Sequence, residues 1–472
     1  MRVYAKLAVL VSDEVALKEM MACKGHGGTK PCVLCMNCVL HTQPGGATPR
    51  WQRSSYFKSL AETDLSVFIP HTDETVRQTI QTLHDAKVTM GKEQFKQLET
   101  QFGWNYIERN LVLEESIRLN VVSCVMYDWS HTYVAGGNAD TEFGMFINRM
   151  RGARTTYDEV GKYVASWRLP SVWPAFDHLV ALKKANAQYK DENFASSASE
   201  FLTLLPILKC YLLRVVAVRD VHMQPFVDSM IAVLCVVEIL QAVKGGLATP
   251  RALREAIRWH MQCFVAAYGR GACKPKHHFA LHLPDIFARH HTLLGTLTNE
   301  RRHRIVKRYT RGRRNLTRWE LGALEEVTCH ALWELTKPFM NKGLVKPIVP
   351  PAMLLAALRE LFPHQARDAM RVAREVRGRH GTMRVGDVVF FETPKGMQVG
   401  ELPLDIAMGS EEVSVVRPRR EIGRSADKCL VQVSTDVDEE VVAPSQLLCA
   451  CTHRPSEDNA SSFVYLPWAW RV

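Results

Sequence analysis

The sequence predicts an α+β protein, mostly helical, that ends in a small β-barrel or SH3-like module. Three observations carry this. The chain has 472 residues, 47% hydrophobic and 23% charged, which is the balance of a globular protein with room for two to four domains. Apolar residues recur at helical spacing through the middle of the chain, from about 132 to 267. After Gly381 the pattern changes to short apolar runs such as RVGDVVFFE, MQVGEL, EVSVVRP and CLVQVS, separated by Gly, Pro, Asp and Lys.

Taken in order, Lys6 to Ser12 reads as a β-branched strand that delivers Asp13, and Glu14 to Ala22 as a helix. A loop with Gly25, Gly27, Gly28 and Pro31 follows and holds a cluster of cysteines. Asp64 to Gly103 is mostly helical. Val121 to Tyr127 reads as a second apolar strand or a helix edge, closing on Asp128-Trp129-Ser130-His131. Thr249 is placed as an N-cap with Pro250 at the first helical position. After Lys274-Pro275 comes HHFALHLP, then a long helix from about Asn299. Prolines 347, 350 and 351 mark a linker before a helix from about Met353 to Val376. The domains expected are 1–131, 132–275, 276–345, 346–379 and 380–472.

The net charge is +11, and its location matters more than its size. Residues 301–318, RRHRIVKRYTRGRRNLTR, contain nine Arg or Lys and no acid, leaving +2 for the other 454 residues. Such a strip is either a solvated basic helix or a footprint for a polyanion, most often nucleic acid. The phosphate contacts it would supply are Arg301, Arg302, Arg304, Lys307, Arg308, Arg311, Arg313 and Arg314. The 13 cysteines are scattered apart from Cys23, Cys32, Cys35 and Cys38, which points to a reducing compartment and to metal binding. Leu7 to Val11 is too short for a secretory apolar region. The apolar stretches Phe201 to Val218 and Phe226 to Val243 contain Lys209, Arg214, Asp228 and Glu238, so they read as buried helices rather than membrane spans.

Cys32-x-x-Cys35 offers two thiolates. Cys32, Cys35, Cys38 and His41 on one helix would span roughly 13 Å, too far to meet at one zinc. The two further ligands must be remote. The best donors are His278 and His282, at i and i+4 on one helix face, with His277 as the alternative to His278. Ordinary buried thiols are the competing reading of Cys32 and Cys35. Asp13, Asp128 and Glu300 are the carboxylates in telling settings, because two-Mg²⁺ phosphoryl transfer needs several carboxylates around ions about 4 Å apart.

VSDEVALKEMMACKGHGGTKPCVLC, YDWSH and KHHFALHLP leading into TNERRHRIVKRY occur in an order that resembles the catalytic region of CACTA (En/Spm) type transposases. The same order is more distantly similar to the catalytic subunit of the antigen-receptor recombinase. The resemblance covers about residues 5–330. It implies a partial RNase H-like, retroviral-integrase-like core with a D-D-E triad, interrupted by a large α-helical insertion. Carried over, Asp13 matches the second catalytic Asp and Glu300 the catalytic Glu. Asp128 and His131 match a D-x-x-H signature beside the active site, and Cys32, Cys35, His278 and His282 match the zinc ligands.

The family's first catalytic Asp precedes the second, and this chain has no Asp or Glu before Asp13. The expectation is therefore a D-D-E transposase lacking the first strands of its core. The alternative is an inactive, transposase-derived protein that binds zinc and DNA. Structural Zn²⁺, catalytic Mg²⁺ if active, transposon-end and target DNA, a homo-oligomer and nuclear residence are what the resemblance implies. No small-molecule cofactor and no membrane are expected.

Overall fold

A computed structural model describes residues 9–12, 14–25, 28–40, 54–114, 119–152, 157–171, 198–296, 319–336, 343–362, 370–378, 381–394, 396–408, 411–425, 430–434, 440–456 and 460–466. The protein is α+β. Its chain divides into two units, one of Met1–Tyr157, Lys183–Leu205 and Tyr211–Arg302, the other of Asp158–Leu182, Pro206–Cys210 and His303–Val472.

In the first unit, strand β1 (Leu10–Ser12) runs parallel to a strand from Val125 to Tyr127, in the register Leu10↔Val125 to Ser12↔Tyr127. Parallel strands need a long crossover, and the intervening chain supplies it. That crossover contains the helix Glu14–Met21, the cysteine loop, and the helices Asp73–Thr89 and Lys92–Phe102. Val121 to Tyr127 is split between the two expected readings. Val121–Cys124 forms one helical turn, and Val125–Tyr127, buried throughout, forms the strand.

Local signals explain where the helices start and stop. Thr72 caps Asp73–Thr89 reciprocally, accepting from Thr75 N at 3.1 Å while its own N–H reaches Thr75 Oγ1 at 2.9 Å. Gly103 ends the next helix at φ 79°, a left-handed conformation that suits glycine, and its carbonyl accepts the Lys24 N–H at 2.9 Å. Thr249 caps Pro250–Tyr268 by accepting from Ala252 N at 3.2 Å, with Pro250 in the first turn as expected.

The helices pack by their apolar stripes. Leu253, Ile257, His260, Met261 and Phe264 are the buried residues of Pro250–Tyr268, spaced for one face. Gln224–Val243 is buried nearly all round, so its apolar length is core. By length and composition Ala198–Arg219 and Val221–Val243 could each cross a membrane, but 56% and 67% of their most apolar windows are buried within protein. The helix Pro275–His290 is buried from His277 to Phe287 except at Asp285, and packs against Pro250–Tyr268, Trp129–Tyr133 and the Val125 strand.

The second unit carries the antiparallel sheets. Counting strands along the chain, β2 (Cys38–Val39), β3 (Lys58–Ser59) and β4 (Val125–Tyr127) belong to the first unit, and β5 (Gly343–Val345) begins this one. A six-stranded sheet has the order β14-β11-β10-β9-β15, with β6 also paired to β10. Its strands are β6 (Met370–Ala373), β9 (Val388–Thr393), β10 (Gly396–Met408), β11 (Glu411–Arg419), β14 (Glu440–Val442) and β15 (Leu447–Ala450).

A four-stranded sheet follows the order β12-β13-β17-β16, from β12 (Glu421–Arg424), β13 (Leu430–Ser434), β16 (His453–Pro455) and β17 (Ser461–Tyr465). Strands β7 (Glu375–Arg377) and β8 (Thr382–Arg384) complete a small third sheet with β5. Val388, Phe390 and Val399 of the large sheet share one apolar layer with Val431, Val433, Val464 and Leu466.

One expectation needs correction. The helix from Met353 to Val376 is short, Ala352–Leu361, and Met370–Ala373 and Glu375–Arg377 are strands. Val372 and Val376 fit a helical spacing, but β6 gains a ladder with β10 and β7 one with β5, and that pairing outweighs local preference. The C-terminal part is built of short antiparallel strands, as expected.

Candidate metal centre

The cysteine loop is pinned before any ligand is considered. Cys23 bridges to Trp104 and Cys35 to Pro70, and Met36 N donates to Ile69 O at 2.8 Å. Asn37, buried, ties the loop together with its side chain. Its Nδ2 donates to Tyr56 O at 2.9 Å and its Oδ1 accepts from Ile69 N at 2.7 Å. These bonds hold Cys32 and Cys35 against the Pro275 helix. There His278 and His282, one turn apart, present both rings to them.

Cys32, Cys35, His278 and His282 place their ligand atoms within 4.8 Å of one another, all four side chains buried. Cys32 Sγ lies 3.3 Å and Cys35 Sγ 3.4 Å from His282 Nε2, and His278 Nε2 lies 3.3 Å from the same nitrogen. A tetrahedral ion with Zn–S about 2.3 Å and Zn–N about 2.05 Å would give S···N near 3.5 Å and N···N near 3.3 Å. The three distances to His282 Nε2 match those edges.

A metal-free reading fits it poorly. One imidazole nitrogen holds either one proton or one lone pair, yet three polar atoms crowd His282 Nε2 at hydrogen-bond range. A cation at the centre satisfies all four groups. Leu34 N–H donates to Cys32 Sγ at 3.4 Å, a bond that favours thiolate, and Tyr127 Oη lies 3.4 Å from the same sulfur. Burial opposes ionisation of Cys32, but the Cys35 hydrogen bond and nearby His282 and His278 outweigh it and hold the thiol well below its usual range. Its partner Cys35 is pushed up, chiefly by that same hydrogen bond. Burial pushes His278 down, toward the neutral form that ligates metal.

The structure also separates His277 from His278. His277 faces away from the sulfurs, 6.0 Å ring to ring from His260, and its Nδ1 accepts the Lys274 N–H at 3.0 Å. His278 is the ligand candidate.

Asp128 and His131 form a second polar knot. Asp128 caps the helix Trp129–Tyr133, accepting from Ser130 N at 2.8 Å and Ser130 Oγ at 2.6 Å. Its other oxygen takes His131 Nδ1 at 2.5 Å and the Thr296 hydroxyl. Burial works to raise its pKa, yet the bonds from His131, Ser130 and Thr296 prevail and hold it at about 2. Every strong acceptor direction of this carboxylate is thus taken. It ties the start of the helix Trp129–Tyr133 to Thr296.

Asp13, Glu300 and the basic strip with Arg301, Arg302, Arg304, Lys307, Arg308, Arg311, Arg313 and Arg314 lie outside the described residues. Sequence reasoning missed Asn37, Tyr127 and Thr296. Tyr127 and Asn37 sit beside recognised motifs, but nothing in the spacing marks Thr296. Also missed was a fully buried group in the helical part, where Glu142 pairs with His260 at 2.8 Å and accepts from Ser229 Oγ at 2.5 Å. No protein-family model, curated protein or solved structure matches this chain in comparisons with each.

Proposed function

We propose that this chain is a transposase of the CACTA D-D-E type with a structural zinc at Cys32, Cys35, His278 and His282. The observation that carries the reading is the meeting of two thiols with two imidazoles about 250 residues away, in the order of motifs that the resemblance rests on. The zinc would tie the cysteine loop to the Pro275 helix, just upstream of Glu300, and so organise the segment without touching a catalytic carboxylate.

The RNase H-like core belongs to the proposal. What supports it is the parallel pair β1–β4, whose in-register ends Ser12 and Tyr127 are followed in sequence by Asp13 and Asp128. Asp13 and Glu300 would hold Mg²⁺, which activates water and then a DNA 3′ hydroxyl for cutting and strand transfer. The basic strip would hold DNA phosphates, and residence would be nuclear.

A second reading, a zinc- and DNA-binding protein without chemistry, is favoured by the saturation of Asp128, which leaves that carboxylate no role as a substitute metal ligand. One experiment separates the two. The chain is incubated with duplex DNA and Mg²⁺, alongside Asp13→Asn and Glu300→Gln variants. Nicking lost in both variants supports the transposase. Binding without nicking supports the second reading, and absence of DNA binding refutes both.

A further inference from the structure

The sheet-rich unit contains a groove that the zinc and DNA reading does not use. It has a volume of about 970 Å³ and opens where β11 passes through Arg420 into β12, so that the chain leaves one sheet for the other. Its floor is the apolar layer between the sheets, with Phe390, Val399, Val433 and Leu466. On its lip Met397 is 50% exposed. A concave apolar floor with a few polar groups on its rim is the form that binding sites take.

Three features define what would fill it. Two rim cations are already neutralised, Arg424 by Glu421 at 2.8 Å and Arg419 by Glu401 at 3.0 Å. Arg420, also on the rim, has no ion pair among the described residues. The Oγ of Ser434, buried beneath the groove lining, has no hydrogen-bond partner among the described residues. Strand β12 is the outer strand of its sheet, so one of its backbone edges has no strand partner among the described residues. Space on it is open, since a Cβ at Gly423 would meet nothing within 4 Å.

We propose that this groove takes an extended peptide that adds to β12 as a further strand. An apolar side chain would lie over Phe390 and Val399, and an acidic one would face Arg420. Backbone bonds to the free edge give affinity, while the alternation of side chains gives selectivity. A nucleic acid would use the cation but has little for the apolar floor or for a row of strand N–H and C=O groups, so the peptide accounts for more of the surface.

The test uses the full-length, zinc-loaded chain and four fluorescent probes. These are an eight-residue peptide of alternating Leu and Glu, its Leu and Lys counterpart, the Leu–Glu peptide with alternate backbone nitrogens methylated, and a single-stranded oligonucleotide. The expected result is that the Leu–Glu peptide binds and the other two peptides bind at least tenfold more weakly. Arg420→Glu and, separately, Met397→Asp should each weaken the Leu–Glu peptide at least tenfold, with zinc content and melting temperature unchanged. Equal binding of the Lys peptide, indifference to N-methylation, or full binding by both variants would overturn the proposal. So would failure of the Leu–Glu peptide to bind, or its displacement by the oligonucleotide in a manner that Arg420→Glu abolishes.

Discussion

Removing one sulfur from the four-residue cluster should release the metal and loosen the first unit while sparing the second. The size of the effect follows from how far apart the ligands lie. Cys32 and His282 are 250 residues apart, so a metal joining them closes a very long loop. The chain-entropy relation for a cross-link gives about 5.5 kcal/mol at 25 °C for that closure, leaving out the bond energies themselves. That is comparable to the whole stability of many domains. Cys35→Ala should therefore drop bound zinc from one equivalent to near zero. It should also lower the melting temperature of the first unit by roughly 10 °C or more. A chelator acting on the natural chain should have the same effect, and hydrogen exchange should rise at Cys32–Val39 and along Pro275–His290. His277→Leu, by contrast, should keep its zinc. Zinc retained at one equivalent in Cys35→Ala, or a melting curve indifferent to chelation, would refute the ligand assignment.

Asp405 is buried, and desolvation raises its pKa to about 7 against a single bond from Ser414 Oγ at 2.6 Å. The folded state therefore holds this proton more tightly than the unfolded chain does. Stability from this group is complete below pH about 4, declines as pH rises to about 7 and is level above that; Asp405→Asn should remove the slope, as read by denaturant melts across that range. Thr296→Val deletes one donor to Asp128, so the Asp128 pKa should rise from about 2 and acid unfolding should begin at higher pH, measurable by circular dichroism. His260→Ala leaves Glu142 buried without its ring partner, which should cost about 3–5 kcal/mol in urea unfolding. Replacing Arg301, Arg302 and Arg304 by Ala should weaken DNA binding for every sequence and flatten the log–log salt slope by about 3, tested by anisotropy at several salt concentrations.

The four-residue Cys/His cluster was legible because its two halves each carry a local signature, a Cys-x-x-Cys loop and an i, i+4 His pair. Choosing between His277 and His278 was not. Both sit one position apart on a buried helix, and only the packing of His277 against His260 and Phe264 decides. The helical middle and the strand ending at Tyr127 follow from apolar spacing. The segment 370–377 did not yield to it, because its strands exist through pairing with β10 and β5, residues far away in sequence or only locally ambiguous. Thr296 and Asn37 act through single hydrogen bonds to distant groups. The trio of Glu142, Ser229 and His260 is drawn from three helices with no motif between them. Such groups become visible only once the chain is folded.

The long interval between Cys32 and His282 has a consequence for the making of the protein. At a synthesis rate of roughly 5–20 residues per second, the two cysteines are made about 12–50 s before the second histidine. During that time the thiols have no imidazoles to share a metal with. A newborn chain thus leaves both thiols open to oxidation or to capture by a foreign metal. Expression in a reducing cytosol, with zinc supplied during translation rather than afterwards, should recover more correctly folded protein.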